Sequence, residues 1–267
     1  MKHNIEVINN RGERELFSYN KVFRSAKRVG ASPLLAKKIA SDIERNVFSG
    51  MKTSDIFREV RRQLNEEVPA SALKFNLKQG MRKLGPTGFP FEKFMGRVFD
   101  KLDYKVKINQ IIKGKCIKYE IDFLAEKNNI ITLGECKYRN MPQDRVHTKD
   151  ALVSYARYLD LDQGGYFKKE VKPLLVTNTK FTNRTVKYAN CVGLNLLGWN
   201  YPKNNGLERI IDDNKLYPIT VLPSLKKNLE NIFVSRNIML VQDILEQDLT
   251  SLKDIGKIVR EAKVLLG

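Results

Sequence analysis

The chain has few of the residues that mark secreted, zinc-binding or membrane-spanning proteins. Its 267 residues include three cysteines, two histidines and one tryptophan. Three cysteines are an odd number and lack zinc-site spacing, which argues against a disulfide framework and a zinc finger. No apolar run approaches the roughly eighteen residues of a membrane span, and residues 1–6 lack the apolar core of a secretory signal. We therefore expect a cytoplasmic protein with reduced thiols and no membrane partner.

Several catalytic signatures are also missing. The chain has no Gly-x-Ser-x-Gly turn and no recognisable Cys/His pairing, so nothing indicates nucleophilic catalysis by serine or cysteine. It also has no glycine-rich Walker loop, which argues against a motor driven by ATP hydrolysis. We therefore expect any bound nucleotide to be a regulator.

Negative charge is scarce. The chain carries 48 Lys and Arg against 30 Asp and Glu, a net charge of +18. Residues 1–85 carry a net +9, residues 86–202 a net +8 and residues 203–267 a net +1. A basic surface of this kind predicts a polyanionic partner, with nucleic acid foremost, and binding that weakens as salt rises. The alternative is a surface that is basic for solubility alone.

Two carboxylates and a lysine form the most informative pattern in the sequence. Residues 116–125 and 130–138 have strand character, and residues 127–129 predict a hairpin turn between them. Alternation places Asp122 on one face of the first strand and Glu135 with Lys137 on one face of the second. Carboxylate oxygens suit Mg²⁺, and a lysine beside a metal-bound water can stabilise charge on a phosphate. The pattern predicts phosphodiester hydrolysis; the alternative is a solvated face with cross-strand ion pairs.

This spacing resembles the PD-(D/E)xK nuclease superfamily, with Asp122, Glu135 and Lys137 as its core residues. Glu92, on an apolar-periodic helix before the strands, matches a glutamate of that family, although Ile121 replaces the proline. The strand, helix and strand of residues 174–198 resemble Mrr-type restriction endonucleases. The resemblance spans residues 86–202 and implies an α/β fold with a restriction-endonuclease-like mixed sheet flanked by helices.

The resemblance also implies a chemistry. Asp122 and Glu135, with Glu92, would bind Mg²⁺ or Mn²⁺, and Lys137 would orient water for cleavage of double-stranded or branched DNA. A homodimer is compatible with it. A non-catalytic nucleic-acid-binding or nucleotide-responsive regulator on the same fold stays open. The helix after the strands is predicted to bury a stripe of apolar residues, Ala151, Leu152, Tyr155, Ala156 and Leu159.

Residues 1–85 predict a short hairpin followed by helices. Their order resembles the ATP-cone, a nucleotide-sensing module, with matches at Val7, Lys21 and the helix start at residues 53–56. Where that family carries two basic residues, this chain has Asn9 and Asn10, and Arg11 follows one position later. The resemblance implies ATP or dATP as an effector, bound by Val7, Arg11 and Lys21. The alternative is a helical docking or DNA-binding bundle with the arginines of residues 58–62 as its contact surface.

Residues 203–267 predict a small helical carboxy-terminal domain. The patterns at 225–233, 240–245 and 252–266 are helical, and residues 241–258 resemble a helix-hairpin-helix unit. Only Gly256 of its usual glycine pair is present. A packing or dimerising tail and a DNA clamp both stay open.

Overall fold

The computed structural model describes residues 5–85, 89–141 and 143–267. Residues 1–4, where no secretory signal was expected, lie outside the described residues, as do residues 86–88 at the predicted domain boundary. The nine strands are β1 Glu6–Ile8, β2 Arg14–Leu16, β3 Lys105–Lys113, β4 Lys118–Lys127, β5 Ile130–Cys136, β6 Arg145–Val146, β7 Glu170–Val176, β8 Lys180–Phe181 and β9 Asn195–Leu197 among the described residues. The helices are α1 Tyr19–Arg28, α2 Pro33–Asn46, α3 Thr53–Glu67, α4 Pro69–Phe75, α5 Leu77–Lys83, α6 Phe89–Lys101, α7 Thr148–Gln163, α8 Asn183–Val192, α9 Leu207–Asp213, α10 Lys227–Ser235, α11 Val241–Glu246 and α12 Ile255–Leu266.

Contacts divide the chain into two compact units, and neither is continuous in sequence. The first consists of Met1–Lys78, Val221–Ser224 and Leu252–Gly267. The second consists of Gln79–Thr220 and Leu225–Ser251. The three ranges 1–85, 86–202 and 203–267 stay a prediction about domains.

The first unit is a hairpin with a helical bundle. β1 and β2 pair antiparallel. Ser18 caps α1 and Ser32 caps α2, each accepting a backbone N–H three residues on, and Pro33 fits the first position of α2. The core is aliphatic and includes Ala36, Ile39 and Leu64 from α2 and α3. The carboxy-terminal helix α12 packs on α4, so the end of the chain completes this bundle.

The second unit is built on a mixed sheet, which confirms the predicted α/β class. Its strand order is β3-β4-β5-β7-β9. The first three strands pair antiparallel, and β5, β7 and β9 pair parallel. Asn128 and Asn129 join β4 to β5 with φ of 52° and 63°, the left-handed values that a two-residue primed hairpin turn requires. The predicted hairpin is therefore present.

Helix α6 packs on the sheet through the apolar stripe predicted for it. Phe91, Phe94 and Met95 are fully buried. The rings of Phe99 and Phe123 lie 5.0 Å apart between their centroids. A Cβ at Gly134 would lie 2.1 Å from the Phe123 ring, so glycine is required where β5 passes under this aromatic pair.

Helix α7 buries a different face from the one predicted. Ala151 is buried, but Leu152 and Leu159 are 47% and 39% exposed. The helix buries Ser154 and Leu161 instead, and the Ser154 hydroxyl donates to the Asp150 carbonyl at 2.9 Å. The prediction of a buried Leu152, Ala156 and Leu159 was wrong, because contacts with β7 and α8 set the buried face of this helix.

Within the described ranges, no helix has both the length and the apolar character needed to cross a bilayer.

Candidate active site

The hairpin brings Asp122 and Glu135 to neighbouring positions at one end of β4 and β5. Phe123 and Gly134 are register partners at that end of the ladder, so Asp122 and Glu135 follow as the next residues. The Cys136 backbone N–H donates to Asp122 Oδ2 at 2.6 Å. The side chain of Asp122 is therefore held against the Glu-x-Lys segment by a bond from within that segment.

The regular alternation of β4 does not extend through this region. The Phe123 ring packs on Phe99 of α6, whereas the guanidinium of Arg157 from α7 lies 5.6 Å from the Tyr119 ring centre. Tyr119 and Phe123 thus contact different helices, although alternation predicts a shared face. Asn109 of β3 lies opposite Asp122, between the paired positions Ile108 and Gln110. Its φ of 52° departs from strand geometry at this point of the ladder.

Glu135 is a buried carboxylate with two cationic partners. Its side chain is 6% exposed. Lys137 Nζ lies 2.5 Å from one carboxylate oxygen, and Arg157 Nη1 lies 2.7 Å from the other. A buried carboxylate needs such partners because its charge is costly away from water. Glu135 and Lys137 were predicted to share a face, but neither their ion pair nor the contact with Arg157 was predicted.

Arg157 carries no motif signal in the sequence. It lies in α7, twenty-two residues after Glu135, among alternating polar and apolar residues. Only the packing of α7 shows that its guanidinium reaches the site. A sequence search for basic residues on the helix after the Glu-x-Lys strand would have included it, without distinguishing it from solvated neighbours.

The electrostatics of the site raise the affinity of two carboxyls for protons. Burial raises the pKa of Asp122 to about 7, and the Glu135 carboxylate adds to the effect. The Cys136 amide opposes this shift. Burial also raises the pKa of Glu92 above its ordinary value, with further contributions from Glu120 and Glu135. Asp122, Glu92 and Glu135 therefore repel one another, and a cation would relieve that repulsion.

The end of β7 holds the backbone that carries Lys137. The Lys137 N–H donates to the Val176 carbonyl at 2.7 Å, and the Thr177 hydroxyl donates to the Lys137 carbonyl at 2.7 Å. Asn178 accepts the Arg139 N–H at 2.8 Å and donates to the Arg139 carbonyl at 2.9 Å. These bonds fix the strand end on which the lysine sits.

The donor set can be compared with the needs of a hard divalent cation. Within the residues described, no three His, Cys, Asp or Glu side chains form a group arranged to hold a metal ion. Mg²⁺ in proteins commonly uses one or two carboxylates, with waters and phosphate oxygens completing its shell. Asp122 and Glu135 supply carboxylate oxygens of this kind, and a metal ion bound by them stays a prediction. Glu92 as a further ligand stays a prediction.

The residues predicted to bind a nucleotide lie in the hairpin and α1. Val7 is 2% exposed and belongs to the core of the first unit. Arg11 Nη1 lies 3.8 Å from Glu13, and Lys21 Nζ lies 3.4 Å from Glu15. Each of the two cations thus has a nearby carboxylate, and nucleotide binding by these residues stays a prediction.

Comparison with known proteins places the chain in a family. Residues 217–266 match the family model described as AF1548-like, C-terminal. A protein of Archaeoglobus fulgidus, described as uncharacterized, is 35% identical over 182 residues, which are 65% of this chain and 100% of that protein. The chain therefore belongs to the AF1548-like family.

Two solved structures are similar to this one. The crystal structure of AF1548, described as a protein of unknown function, matches with a TM-score of 0.55 at 31% identity, over 67% of this chain and 94% of that one. The MspJI restriction endonuclease in complex with a 27-mer oligonucleotide matches with a TM-score of 0.33 at 13% identity, over 62% of this chain and 38% of that one. A TM-score of 0.33 does not establish a shared fold.

Proposed function

We propose that this protein is a divalent-metal-dependent endodeoxyribonuclease. The observation that carries the proposal is the Asp122 to Cys136 hydrogen bond of 2.6 Å, which joins the aspartate to the Glu-x-Lys strand. Asp122 thus lies beside Glu135 and Lys137 at the end of two paired strands, and this arrangement supports the proposal of hydrolysis at a phosphate. The net charge of +18 supports a nucleic-acid substrate.

We assign a separate role to each charged residue of the site. Asp122 and Glu135 would hold Mg²⁺ or Mn²⁺, which when bound supplies charge neutralisation at the phosphate and acidifies a bound water. The Lys137 ammonium, 2.5 Å from Glu135, would orient a water and stabilise negative charge developing on the phosphate. Arg157 pairs with the second oxygen of Glu135 at 2.7 Å, so a metal ion would compete with this guanidinium for that oxygen.

Cleavage assays test the proposal directly. Purified protein is incubated with plasmid, branched and single-stranded DNA, with Mg²⁺, Mn²⁺ or EDTA. We expect EDTA-sensitive products, and we expect Asp122→Ala and Lys137→Ala to abolish them. Asp122→Ala should bind DNA as tightly as the native protein or more tightly, because a carboxylate that repels phosphate is removed.

Asp103→Asn is the matched control, since the Asp103 side chain is 93% exposed in the same unit. Its cleavage should equal that of the native protein. Full cleavage by Asp122→Ala or by Lys137→Ala would show that the site is assigned wrongly.

One observation favours a second candidate, a non-catalytic nucleic-acid-binding protein on the same fold. Both oxygens of Glu135 already have cationic partners, Lys137 and Arg157, which compete with a metal for that carboxylate. Salt-dependent DNA binding without products under any metal condition would support this candidate over the nuclease.

A further inference from the structure

The end of the β3–β4 hairpin has one buried face and one exposed face. On the buried face, Ile112 and Tyr119 pack in one cluster with Leu161 of α7. Side chains of a strand alternate between faces, and residues that are cross-strand partners share a face. The exposed face, which we call the β3–β4 face, therefore consists of Ile111, Lys113, Lys118 and Glu120. Ile111 is 74% exposed, which is unusual for a large apolar side chain.

Two lysines stand directly opposite each other on the β3–β4 face. Lys113 and Lys118 are the last pair of the ladder, and a bond of 2.7 Å from the Gly114 N–H to the Ile117 carbonyl closes the turn beyond them. Like charges at directly opposed positions destabilise a sheet. Neither lysine forms an ion pair within the described part of the chain, although Glu120 is the next residue along the same face. Such a pair suits a partner that brings negative charge.

Helix α7 fixes this end of the hairpin. The Asp160 carboxylate accepts the Cys116 N–H at 2.9 Å, and the Asp160 carbonyl accepts the Lys115 N–H at 2.9 Å. A Cβ at Gly164 would lie 2.7 Å from the Gly114 backbone, so the end of α7 touches the turn directly. Because these contacts order the turn before any partner binds, binding at the β3–β4 face needs little further ordering of the backbone.

The β3–β4 face leads along β4 to the candidate active site. Lys118 is four residues before Asp122, which is about 13 Å along an extended strand. Glu120 lies between them and is close to Glu92, since its charge is the next cause after burial that raises the pKa of Glu92. A polyanion bound at the candidate site can therefore extend onto the β3–β4 face.

We propose that the β3–β4 face binds the DNA backbone beside the cleavage position, with Lys113 and Lys118 on two phosphates and Ile111 against a deoxyribose. Lysine supplies a point charge to a phosphate, and such contacts position a protein on DNA without reading its sequence. The identification of the polyanion as DNA rests on the proposed function. Binding at this face does not require catalysis.

Fluorescence anisotropy with a short labelled DNA duplex in EDTA measures binding without cleavage. For K113Q/K118Q the plot of log affinity against log salt should be shallower by about 1.8, since each phosphate contact contributes about 0.9 to the slope. At about 0.1 M salt this change corresponds to an affinity about 60-fold lower. Each single variant should show half of the change in slope. I111A should bind about three- to tenfold more weakly with the native slope, because an apolar contact releases no counterions.

K105Q/K107Q is the matched control. It removes two exposed lysines at the other end of β3, where Glu126 stands opposite Lys105. Its affinity should fall far less than that of K113Q/K118Q, and its salt slope should stay close to the native slope. At low salt K113Q/K118Q should melt no lower than the native protein, because the variant lacks the repulsive pair.

The proposal is overturned if the native protein does not bind the duplex, or if K113Q/K118Q keeps the native slope and affinity. It is also overturned if K105Q/K107Q loses as much affinity, which would indicate an effect of net charge alone. Failure of the proposed nuclease function gives a different result: the slope changes as expected, but no DNA products form with any metal. Metal-dependent cleavage by the native protein, with normal DNA binding by K113Q/K118Q, contradicts only the role of the β3–β4 face.

Discussion

Replacement of Asp122 by Asn should stabilise this protein at alkaline pH. Burial and Glu135 raise the pKa of Asp122 from 3.8 to about 7, so the folded state binds its proton more tightly than the unfolded state does. The favourable contribution of that proton is complete below pH 3.8 and is lost as pH rises through about 7. A tenfold difference in proton affinity between the folded and unfolded states is worth about 1.4 kcal/mol, so the full shift corresponds to about 4 kcal/mol. Because Asp122 is only partly buried, we expect its ionised form to destabilise the folded state by about 2–4 kcal/mol at pH 8.5. Asparagine keeps an acceptor for the Cys136 amide and removes this cost.

Urea unfolding in EDTA measures the effect. The free energy of unfolding of Asp122→Asn should exceed that of the native protein by about 2–4 kcal/mol at pH 8.5, and the difference should shrink steadily toward pH 4. Asp103→Asn, at an exposed position, should show no comparable change. A difference that does not vary with pH, or an Asp122→Asn protein less stable than the native one at pH 8.5, would refute the electrostatic reasoning.

Three other perturbations test single contacts in the second unit. Arg157→Gln removes a cation that competes with Mg²⁺ for the Glu135 carboxylate. The Mg²⁺ concentration for half-maximal cleavage should therefore fall by about three- to tenfold, and an unchanged or higher concentration would contradict this. Gly134→Ala places a methyl group against the Phe123 ring and should lower stability in urea by about 1–3 kcal/mol, whereas an unchanged midpoint would show that the ring moves freely. Asp243→Ala removes the buried carboxylate that lies 2.7 Å from Arg97, so the free energy of unfolding in heat or urea should fall by about 3–5 kcal/mol. A fall under about 1 kcal/mol would indicate that the protein does not need this ion pair for stability.

Local patterns predicted much of the second unit correctly. The two asparagines between β4 and β5 tolerate left-handed φ, and this local preference alone specifies the hairpin. The apolar period of residues 91–99 likewise specified the buried face of α6, since a regular stripe buries the same side against any apolar surface. The mixed sheet, by contrast, was implied by the family resemblance and not by these local patterns.

The buried face of α7 and the contact of Arg157 with Glu135 could not be predicted from local patterns. Helix α7 has apolar residues on more than one side, so its own sequence does not decide which side is buried; β7 and α8 decide it. Arg157 reaches Glu135 for the same reason, because the rotation of α7 is a property of its packing.

The chain by itself determined the hairpin between β4 and β5, which brings Asp122 next to Glu135, because turn preference acts over a few residues. Tertiary structure alone decided that the last helix returns to the amino-terminal bundle and closes a cavity there. That return depends on contacts between α12 and α4, more than 170 residues apart in sequence, and no local pattern encodes such contacts.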